Sequence, residues 1–342
     1  MKRKVYLIDL KNDVSGHYHI MKALSIIEGS QELDTGERKF HKDTPVKMLK
    51  ERIRIINSVA RNIKDDKCAA HFLTADKFYF LPFLFGNKFG NRRLIATIHR
   101  IPKTKMLKWL LKCFSRKVDT IIVLSGYMEE CLRNIGISNV HTIIHPAFYN
   151  CSDIDRHATR NKYGLKDSDV VFSILGSTRA DKGIDIALDA FMYISDSVKK
   201  NMVLNIAGRE QDVSRHTIIE KARKAGIRII DNIKCLSIRE FKENIRVTDY
   251  MLCPYTKKFR GMSGPMCEAF GNGIPCIMPS YGALGWFSQR EGDVFSFQIE
   301  NAQSLARCLT TIMQKRPQIN HDFSNMFRLE YFIEEHKKLY YK

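Results

Sequence analysis

Short apolar segments alternate along this chain with stretches of helical spacing. The first set covers residues 4–9, 71–74, 94–98, 120–124 and 140–144, and the second covers residues 170–175, 202–207, 227–230, 250–253 and 276–278. Short continuous apolar segments are typical of strands buried in a parallel sheet, and the intervening helices supply the crossover connections. The pattern predicts an α/β protein made of two Rossmann-like halves that face each other across a cleft.

A polar stretch without apolar periodicity follows His145 and Pro146 and separates the two halves. We therefore predict a first domain over residues 1–148, a linker over residues 149–168 and a second domain over residues 169–320. A chain of 342 residues is long enough for two such domains. The last segment, residues 321–342, is predicted to be a helix that packs back toward the first domain.

The charge balance indicates an anionic partner. Lysine and arginine number 56 against 37 acidic residues, so the net charge is +19. Nucleic acid, anionic lipid and phosphorylated substrates all fit this excess. The nine cysteines are scattered without a CxxC pair and are predicted to be reduced thiols. The apolar runs are too short for a signal peptide or a membrane span, so we expect a cytoplasmic protein with at most peripheral membrane attachment.

A turn rich in glycine and cations follows the first strand of the second half. Gly176 allows close approach of the backbone to a ligand, Arg179 can bind two oxygens at once, and Lys182 adds a point charge. A pyrophosphate group needs this combination, although a solvated surface turn would also explain it. Neither GxGxxG nor GxxxxGK[ST] is present, which argues against a nicotinamide dehydrogenase and a P-loop ATPase.

A second candidate anion site lies in residues 260–275. Ser263 has the features of a helix N-cap, Pro265 suits the first helical turn, and helix N-termini bind anions through free N–H groups. Glu268 follows in the same turn and could accept hydroxyl groups. Arg209 follows another strand, and strand ends of a parallel sheet share one edge. The alternative is an ordinary strand-turn-helix unit.

Taken together, these segments resemble retaining glycosyltransferases of family 4, which have the GT-B fold. The resemblance covers roughly residues 170–280, and its matching pieces are residues 176–183, 204–208, 236–240, 254–255 and 263–275. The first half matches the acceptor domain of that family more loosely, at residues 97–99, 118–125 and 143–146. The combined order and spacing carry the resemblance, since no single piece is specific.

The resemblance implies roles for individual residues in binding a nucleotide-sugar donor. Arg179 and Lys182 match the pair that neutralises the donor diphosphate, with assistance from Arg209. Glu268 matches the carboxylate that takes the ribose hydroxyls. The backbone amides of Met262, Ser263 and Gly264 are implied to hold the sugar and its phosphate.

Two further roles are implied in the first half. Gly16 matches the glycine loop after the first strand, which approaches the donor from the other domain. His99 matches a histidine that lies at the sugar in many relatives. Considered without the resemblance, His99 is more typical of a packed or capping histidine.

The chain departs from the family pattern at two positions. The first glutamate of a frequent pair, which has seven residues between its two members, is replaced by Arg260, and this leaves the donor sugar open. Ser177 stands where many relatives place the arginine, and Arg179 is shifted by two places. A subset of relatives shares this arrangement.

The implied reaction retains the anomeric configuration and needs no metal or other cofactor. The cations and helix amides would stabilise the leaving diphosphate, which itself could accept the acceptor's proton. No carboxylate nucleophile is indicated, in contrast to two-carboxylate glycosidases. The acidic pairs at residues 153–155 and 167–169 are better explained as hydrophilic turns than as metal ligands, and His17 and His19 as loop residues.

Residues 103–117 predict a basic amphipathic helix. Lys105, Lys108 and Lys112 lie near one face, and Trp109 suits an interface. Such a helix can lie on an anionic membrane or pack on a core with a wet cationic face, and the two interpretations are equally favoured. The membrane interpretation points to a lipid-linked saccharide acceptor in the assembly of a bacterial capsule, exopolysaccharide or lipopolysaccharide.

Three alternatives to a glycosyltransferase remain at this point. A nucleic-acid-binding protein would explain the charge, but no known RNA- or DNA-binding motif is present, so nucleic acid is not the expected partner. A sugar-nucleotide epimerase with the same fold is the second alternative. A non-catalytic partner subunit is the third, because Arg260 departs from the pattern.

Overall fold

A computed structural model describes residues 3–9, 16–33, 44–288, 294–315 and 321–342. The chain divides into two compact units, one formed by Met1–His145 with Leu329–Lys342 and the other by Pro146–Arg328. Residues 149–168 belong to the second unit and include the helix Arg156–Lys162. The last helix of the chain belongs to the first unit.

The described residues contain twelve strands in two parallel sheets. In chain order they are β1 Val5–Ile8, β2 Ser30–Glu32, β3 Ala69–Phe72, β4 Arg93–Ile98, β5 Thr120–Val123, β6 Val140–Thr142, β7 Val170–Leu175, β8 Met202–Ala207, β9 Arg228–Asn232, β10 Tyr250–Leu252, β11 Cys276–Pro279 and β12 Val294–Phe297. The strand order is β2-β1-β3-β4-β5-β6 in the first unit and β12-β11-β10-β7-β8-β9 in the second. The predicted pair of Rossmann-like α/β halves is therefore confirmed.

Helices connect most of these strands. They are α1 Gly16–Ser25, α2 Pro45–Asn62, α3 Lys105–Ser115, α4 Gly126–Arg133, α5 Arg156–Lys162, α6 Ile184–Phe191, α7 Asp196–Lys199, α8 Arg215–Lys224, α9 Ile238–Val247, α10 Gly264–Gly271, α11 Gly282–Ser288, α12 Ala302–Lys315 and α13 Leu329–Tyr341. Several begin at hydroxyl caps, such as Thr104 before α3 and Ser125 before α4. None of the described helices combines the length and the apolarity that a bilayer crossing needs.

Each unit has its own apolar core. The aromatic stretch at residues 78–85 contributes to the first core, where Phe78 and Phe85 pack edge-on against Phe72 at centroid distances of 5.5 and 5.2 Å. Such edge-to-face contacts add to the free energy gained from burial. Most of the longest apolar run of the chain thus lies in the core, and the short 3-10 turn Pro82–Leu84 leaves Phe83 exposed.

Each sheet has a point at which its strand order reverses. In the second sheet the chain runs outward from β7 to β9 on one side and from β10 to β12 on the other, so β7 and β10 are neighbours. In the first sheet the reversal lies between β1 and β3. Open parallel sheets bind ligands outside the carboxyl ends of the strands at such points. The segments that follow β7 and β10 are therefore the natural place for a site.

Candidate active site

The turns after β7 and β8 lie backbone against backbone. Gly176 has a φ of +100° and Gly208 a φ of +140°. A Cβ atom on Gly208 would lie 2.3 Å from the carbonyl oxygen of Gly176, so a side chain at this position would clash with the backbone. Glycine is required at position 208 because the backbones that follow β7 and β8 are in contact. The Gly176 turn therefore forms one edge of the candidate site.

The short 3-10 turn Ala180–Lys182 is fastened to the end of β10. The amide of Thr256 donates to the carbonyl of Asp181 at 3.1 Å. Gly183, with a φ of +66°, lies so close to Pro254 that an added Cβ would be 1.9 Å from the Pro254 carbonyl oxygen. These contacts place the side chain of Lys182 at the point where the strand order reverses.

Lys182 is buried and held by Tyr255. Lys182 is only 5% exposed, and its Nζ donates to the Tyr255 hydroxyl at 2.6 Å. The same Nζ lies 4.3 Å from the centroid of the Tyr255 ring, within the range of a cation–π contact. Burial lowers the pKa of Lys182 to about 8. A cation that is poorly solvated interacts strongly with an anionic ligand.

Ser263 caps α10 and continues the same hydrogen-bonded chain. Its Oγ accepts from the Met266 amide at 3.3 Å and lies 2.8 Å from the Tyr255 hydroxyl. Gly264 opens the helix, and a Cβ there would meet no atom of the described chain within 4 Å. Met262 is half-buried in the loop that precedes the cap. The α10 N-terminus, with the Gly264 amide and the positive end of the helix dipole, thus adjoins Lys182 and faces open space.

The other predicted cations differ in environment. Arg179 donates through Nε and Nη2 to the two carboxylate oxygens of Asp181, each at 2.9 Å, and this pairing raises its pKa. Arg209 is exposed, and its carbonyl accepts from the Thr178 amide at 3.0 Å, which fixes the backbone beside the turn. Arg260 is exposed in the loop before α10.

Glu268 is 4% exposed and joins α10 to the first residues of the second unit. Its Oε1 accepts from the Phe148 amide at 2.9 Å and its Oε2 from the Tyr149 amide at 3.1 Å. Burial raises the pKa of Glu268 to about 8, and the two amide hydrogen bonds oppose that rise. One turn later, Asn272 accepts from the Cys151 amide at 3.0 Å. Each carboxylate oxygen still has a second lone pair, so the predicted contact with ribose hydroxyls would be made alongside these bonds.

The predicted residues of the first half lie in the first unit. Gly16 is the first residue of α1, while residues 10–15, which precede it in the predicted glycine loop, lie outside the described residues. His99 follows β4, and its Nε2 lies 2.7 Å from the carbonyl oxygen of Leu73. Because a carbonyl only accepts, this nitrogen carries the proton. Asp76 accepts from the amides of His99 and Arg100, at 2.8 and 2.9 Å, which holds the backbone after β4.

The acidic pairs that could suggest a metal site have structural partners. Asp155 caps α5 by accepting from the Ala158 amide at 3.1 Å, and Asp153 pairs with Lys242. Asp169 accepts from the Lys166 amide and pairs with Arg228. Within the part of the chain that the structure describes, no three His, Cys, Asp or Glu side chains are grouped as metal ligands would be.

Helix α3 combines a buried face with an exposed apolar tip. Leu111 and Phe114 are fully buried in the first core. Met106 and Trp109, in contrast, are 66% and 63% exposed beside the lysines of the helix, and Phe83 of the adjoining turn is 71% exposed. The helix packs on the core and also presents an apolar and cationic surface, so the two interpretations of its sequence are compatible.

The second unit has the features of a nucleotide-binding Rossmann-like domain, with anion-binding groups at the reversal point of a parallel sheet. Residues 169–315 match the family model described as Glycosyl transferases group 1. The prediction of an enzyme of the glycosyltransferase class is confirmed by this match. No curated protein matches the sequence at a significant level.

Several solved structures have the same fold. HepE from Anabaena, solved with UDP, is 12% identical with a TM-score of 0.73, and the alignment covers 98% of this chain and 99% of HepE. A glycosyltransferase from Rickettsia africae is 15% identical with a TM-score of 0.69, covering 99% and 98%. WaaG, which is involved in lipopolysaccharide biosynthesis, is 13% identical with a TM-score of 0.63, covering 98% and 99%. At such identities the likeness establishes the fold, and the predicted GT-B architecture is confirmed.

The sequence patterns assign no role to two residues that contact the predicted cations, Tyr255 beside Lys182 and Asp181 beside Arg179. Tyr255 was part of the matching segment 254–255, and Asp181 lay within the motif 176–183. The signal available for Tyr255 was its place directly after a buried strand, which puts it at the carboxyl edge of the sheet. Nothing in the sequence indicates that Asp181 would form an ion pair with Arg179.

Proposed function

We propose that this protein is a retaining, metal-independent glycosyltransferase that uses a nucleoside diphosphate sugar as its donor. The observation that carries the proposal is the meeting of Lys182, the Gly176 turn and the capped start of α10 at the reversal point of the second sheet. A diphosphate in this place would receive backbone amides and a buried cation together. UDP is the first nucleotide to test, because HepE has been solved with UDP and with UDP-glucose.

The site residues suggest how the reaction would proceed. As the bond between the sugar and the diphosphate breaks, negative charge develops on the leaving oxygens. Lys182, Arg179 and the α10 amides would stabilise that charge. The carboxylates nearby are engaged, Glu268 by two amides and Asp181 by Arg179, which supports a route without a carboxylate nucleophile. The leaving diphosphate would then accept the proton of the acceptor hydroxyl.

Binding measurements test the donor site directly. Wild-type protein should bind UDP or another nucleoside diphosphate in calorimetry and show a raised melting temperature. Lys182→Ala should weaken that binding by about tenfold or more, since hydrogen bonds to charged groups are worth roughly 1.5–3 kcal/mol. Lys221→Ala, which removes a partly exposed lysine paired with Asp185 in the same unit, is the matched control and should leave binding unchanged.

Three outcomes would contradict the proposal. Failure of UDP, GDP and ADP to bind would remove the donor site. Conversion of the nucleotide-sugar in the absence of any acceptor would favour an epimerase. Binding of an oligonucleotide with steep salt dependence, without binding of any nucleoside diphosphate, would favour a nucleic-acid-binding protein.

For the acceptor, we propose a saccharide linked to a lipid in an anionic membrane, as in the assembly of a bacterial surface polysaccharide. The support is the exposed pair Met106 and Trp109 on α3, with Phe83 beside them and lysines along the same helix. The role of WaaG in lipopolysaccharide biosynthesis is consistent with it.

Liposome flotation tests this surface. The protein should float with vesicles that contain phosphatidylglycerol and not with purely zwitterionic vesicles. Trp109→Ala should reduce flotation severalfold, and Ile238→Ala, which removes an exposed apolar side chain of the second unit, should not. Equal flotation of both variants, or no flotation at moderate salt, would contradict the membrane proposal.

A further inference from the structure

The buried hydroxyl of Tyr255 stands between the two anion-binding groups of the site. On one side it accepts from Lys182 at 2.6 Å, and on the other it lies 2.8 Å from Ser263, the cap of α10. An ammonium group can only donate, so the phenol oxygen accepts from Lys182 and its proton is available to the Ser263 oxygen. That oxygen also accepts from the Met266 amide. One hydrogen-bonded chain thus runs from the cation to the helix.

Backbone contacts around Lys182 and Tyr255 hold this chain of hydrogen bonds in place. The close approach of Gly183 to Pro254 and the bond from Thr256 to Asp181 hold the turn with Lys182 against the residues around Tyr255. The Tyr255 ring is itself fixed by Phe259, whose centroid lies 4.4 Å away. The Lys182 side chain, which has four rotatable bonds, is therefore restricted to one position, at the place where a diphosphate would bind.

We infer that Tyr255 is a positioning residue of the donor site, whose hydroxyl holds the Lys182 ammonium beside the α10 N-terminus so that both act on one diphosphate. This inference rests on the proposed function. Tyr255 acts through Lys182 and not by touching the donor, since its ring is buried under that side chain. Preorganised charges of this kind need no rearrangement when the leaving group forms.

The charged state of Lys182 gives a specific way to detect this role. The titratable groups facing it are Tyr255 and Cys253 after β10, and Arg179 and Asp181 in its own turn. Burial raises the pKa of both Cys253 and Tyr255, so they stay neutral, and Arg179 and Asp181 are paired with each other. The Tyr255 hydroxyl accepts a hydrogen bond from the charged form of Lys182, so its removal should lower the pKa of that ammonium.

The test is UDP binding, with GDP in parallel, measured by calorimetry between about pH 6 and about pH 9.5. Wild-type affinity should be steady at low pH and fall as Lys182 loses its proton near its pKa of about 8. Tyr255→Phe keeps the ring and removes only the hydroxyl. It should bind about tenfold more weakly at neutral pH, and its alkaline fall should begin at a lower pH. Tyr163→Phe is the matched control, because it removes a hydroxyl that accepts from Asn232 at 3.2 Å elsewhere in the unit.

A double-mutant cycle distinguishes positioning from packing. In a Lys182→Ala background, Tyr255→Phe should have little further effect on affinity. If Tyr255→Phe lowers UDP affinity equally in the wild-type and Lys182→Ala backgrounds, Tyr255 has a structural role and the inference is overturned. The same holds if Tyr255→Phe binds UDP more weakly but its affinity falls at the same alkaline pH as that of the wild type. Unchanged binding by Tyr255→Phe would overturn it as well and leave the proposed donor site intact. Failure of the wild-type protein to bind either nucleotide would overturn both.

A second variant covers the case in which Tyr255→Phe yields no folded protein. Ser263→Ala breaks the same chain at its far end and makes the phenol oxygen a weaker acceptor. The pH at which the UDP affinity of Ser263→Ala begins to fall should be lower than in the wild type, by a smaller amount than in Tyr255→Phe. An unshifted fall in Ser263→Ala would then overturn the inference.

Discussion

Arg179 and Asp181 are joined by two parallel hydrogen bonds of 2.9 Å each. The guanidinium expected to hold a diphosphate is thus already closed on the carboxylate two residues further along. A phosphate must share Arg179 with Asp181 or displace it. The acidic residue of this motif is therefore an internal competitor for the donor.

Asp181→Asn should tighten UDP binding by up to about fivefold. The substitution releases Arg179 and removes a negative charge beside Lys182, and partly exposed ion pairs are worth roughly 0–1 kcal/mol. Calorimetry at low and moderate salt would measure the gain, which should shrink as salt rises. Asp189→Asn changes the net charge equally in the same unit and should have no effect. Weaker binding by Asp181→Asn would mean that the carboxylate orients Arg179 instead.

Gly183→Ala should be strongly destabilising, by roughly 3 kcal/mol or more. The new methyl group would lie 1.9 Å from the Pro254 carbonyl oxygen, and the residue would keep a φ of +66°. Gly164→Ala separates the two effects, because Gly164 has a φ of +61° with nothing within 4 Å of an added Cβ. That control should cost only about 1 kcal/mol, for the backbone alone. Urea unfolding would give both values, and equal values would contradict the close contact.

Glu268 should make the second unit less stable as the pH rises through neutrality. Its pKa is raised to about 8 by burial from an ordinary value of 4.5, so the folded chain binds the proton more tightly than the unfolded chain. The stabilisation is complete below pH 4.5 and is lost as the pH rises toward 8. Glu268→Gln does not titrate, so its urea midpoint should change less across this window than that of the wild type. Parallel curves would show that the carboxyl group titrates near its ordinary value.

The buried histidines His71 and His336, the second of which lies on α13, should act in the opposite direction in the first unit. His71 lies between the Tyr340 hydroxyl at 2.6 Å and the Thr97 hydroxyl at 2.7 Å, and His336 stacks on it at 5.8 Å. Burial lowers the pKa of His336 from 6.5 to about 4 and that of His71 well below its ordinary value. The unfolded chain therefore binds more protons below 6.5, and stability is lost as the pH falls from there toward 4.

His336→Gln should reduce this loss. Glutamine stays neutral and can still donate to the Phe332 carbonyl, which accepts from His336 at 2.9 Å. Urea unfolding near neutrality and at about pH 5 would compare the variant with the wild type and with His216→Gln, an exposed histidine of the second unit. The prediction fails if His216→Gln and His336→Gln give the same acid sensitivity.

The sequence was sufficient to locate the cations and the helix cap because strand ends of a parallel sheet share one edge. Gly176 and Lys182 follow β7, and Ser263 follows β10, so their common edge followed from the apolar pattern alone. The edge strands β2 and β12 are harder to predict from the sequence, because they are partly exposed and lack a continuous apolar run. Helix α5 was missed in the predicted linker for a similar reason, since it buries little besides Thr159.

Two contacts of the candidate site could not be predicted, because they join residues far apart in sequence. Lys182 and Tyr255 are 73 positions apart, and Glu268 is 120 positions from the amide of Phe148. Such pairs depend on the order in which strands enter the sheet and on close backbone packing, such as that of Gly183 against Pro254. A local pattern contains neither kind of information.

The position of α13 has a consequence for biosynthesis. This helix follows the whole second unit in chain order, yet Tyr340 supplies the hydroxyl that His71 needs, and the Leu339 carbonyl accepts from Arg93 at 2.7 Å. The first unit to leave the ribosome therefore cannot complete its buried hydrogen bonds until the second has been synthesised. Nascent chains should pass through a stage in which the buried hydrogen bonds of the first unit are incomplete, and loss of α13 should destabilise the half of the protein that is made first.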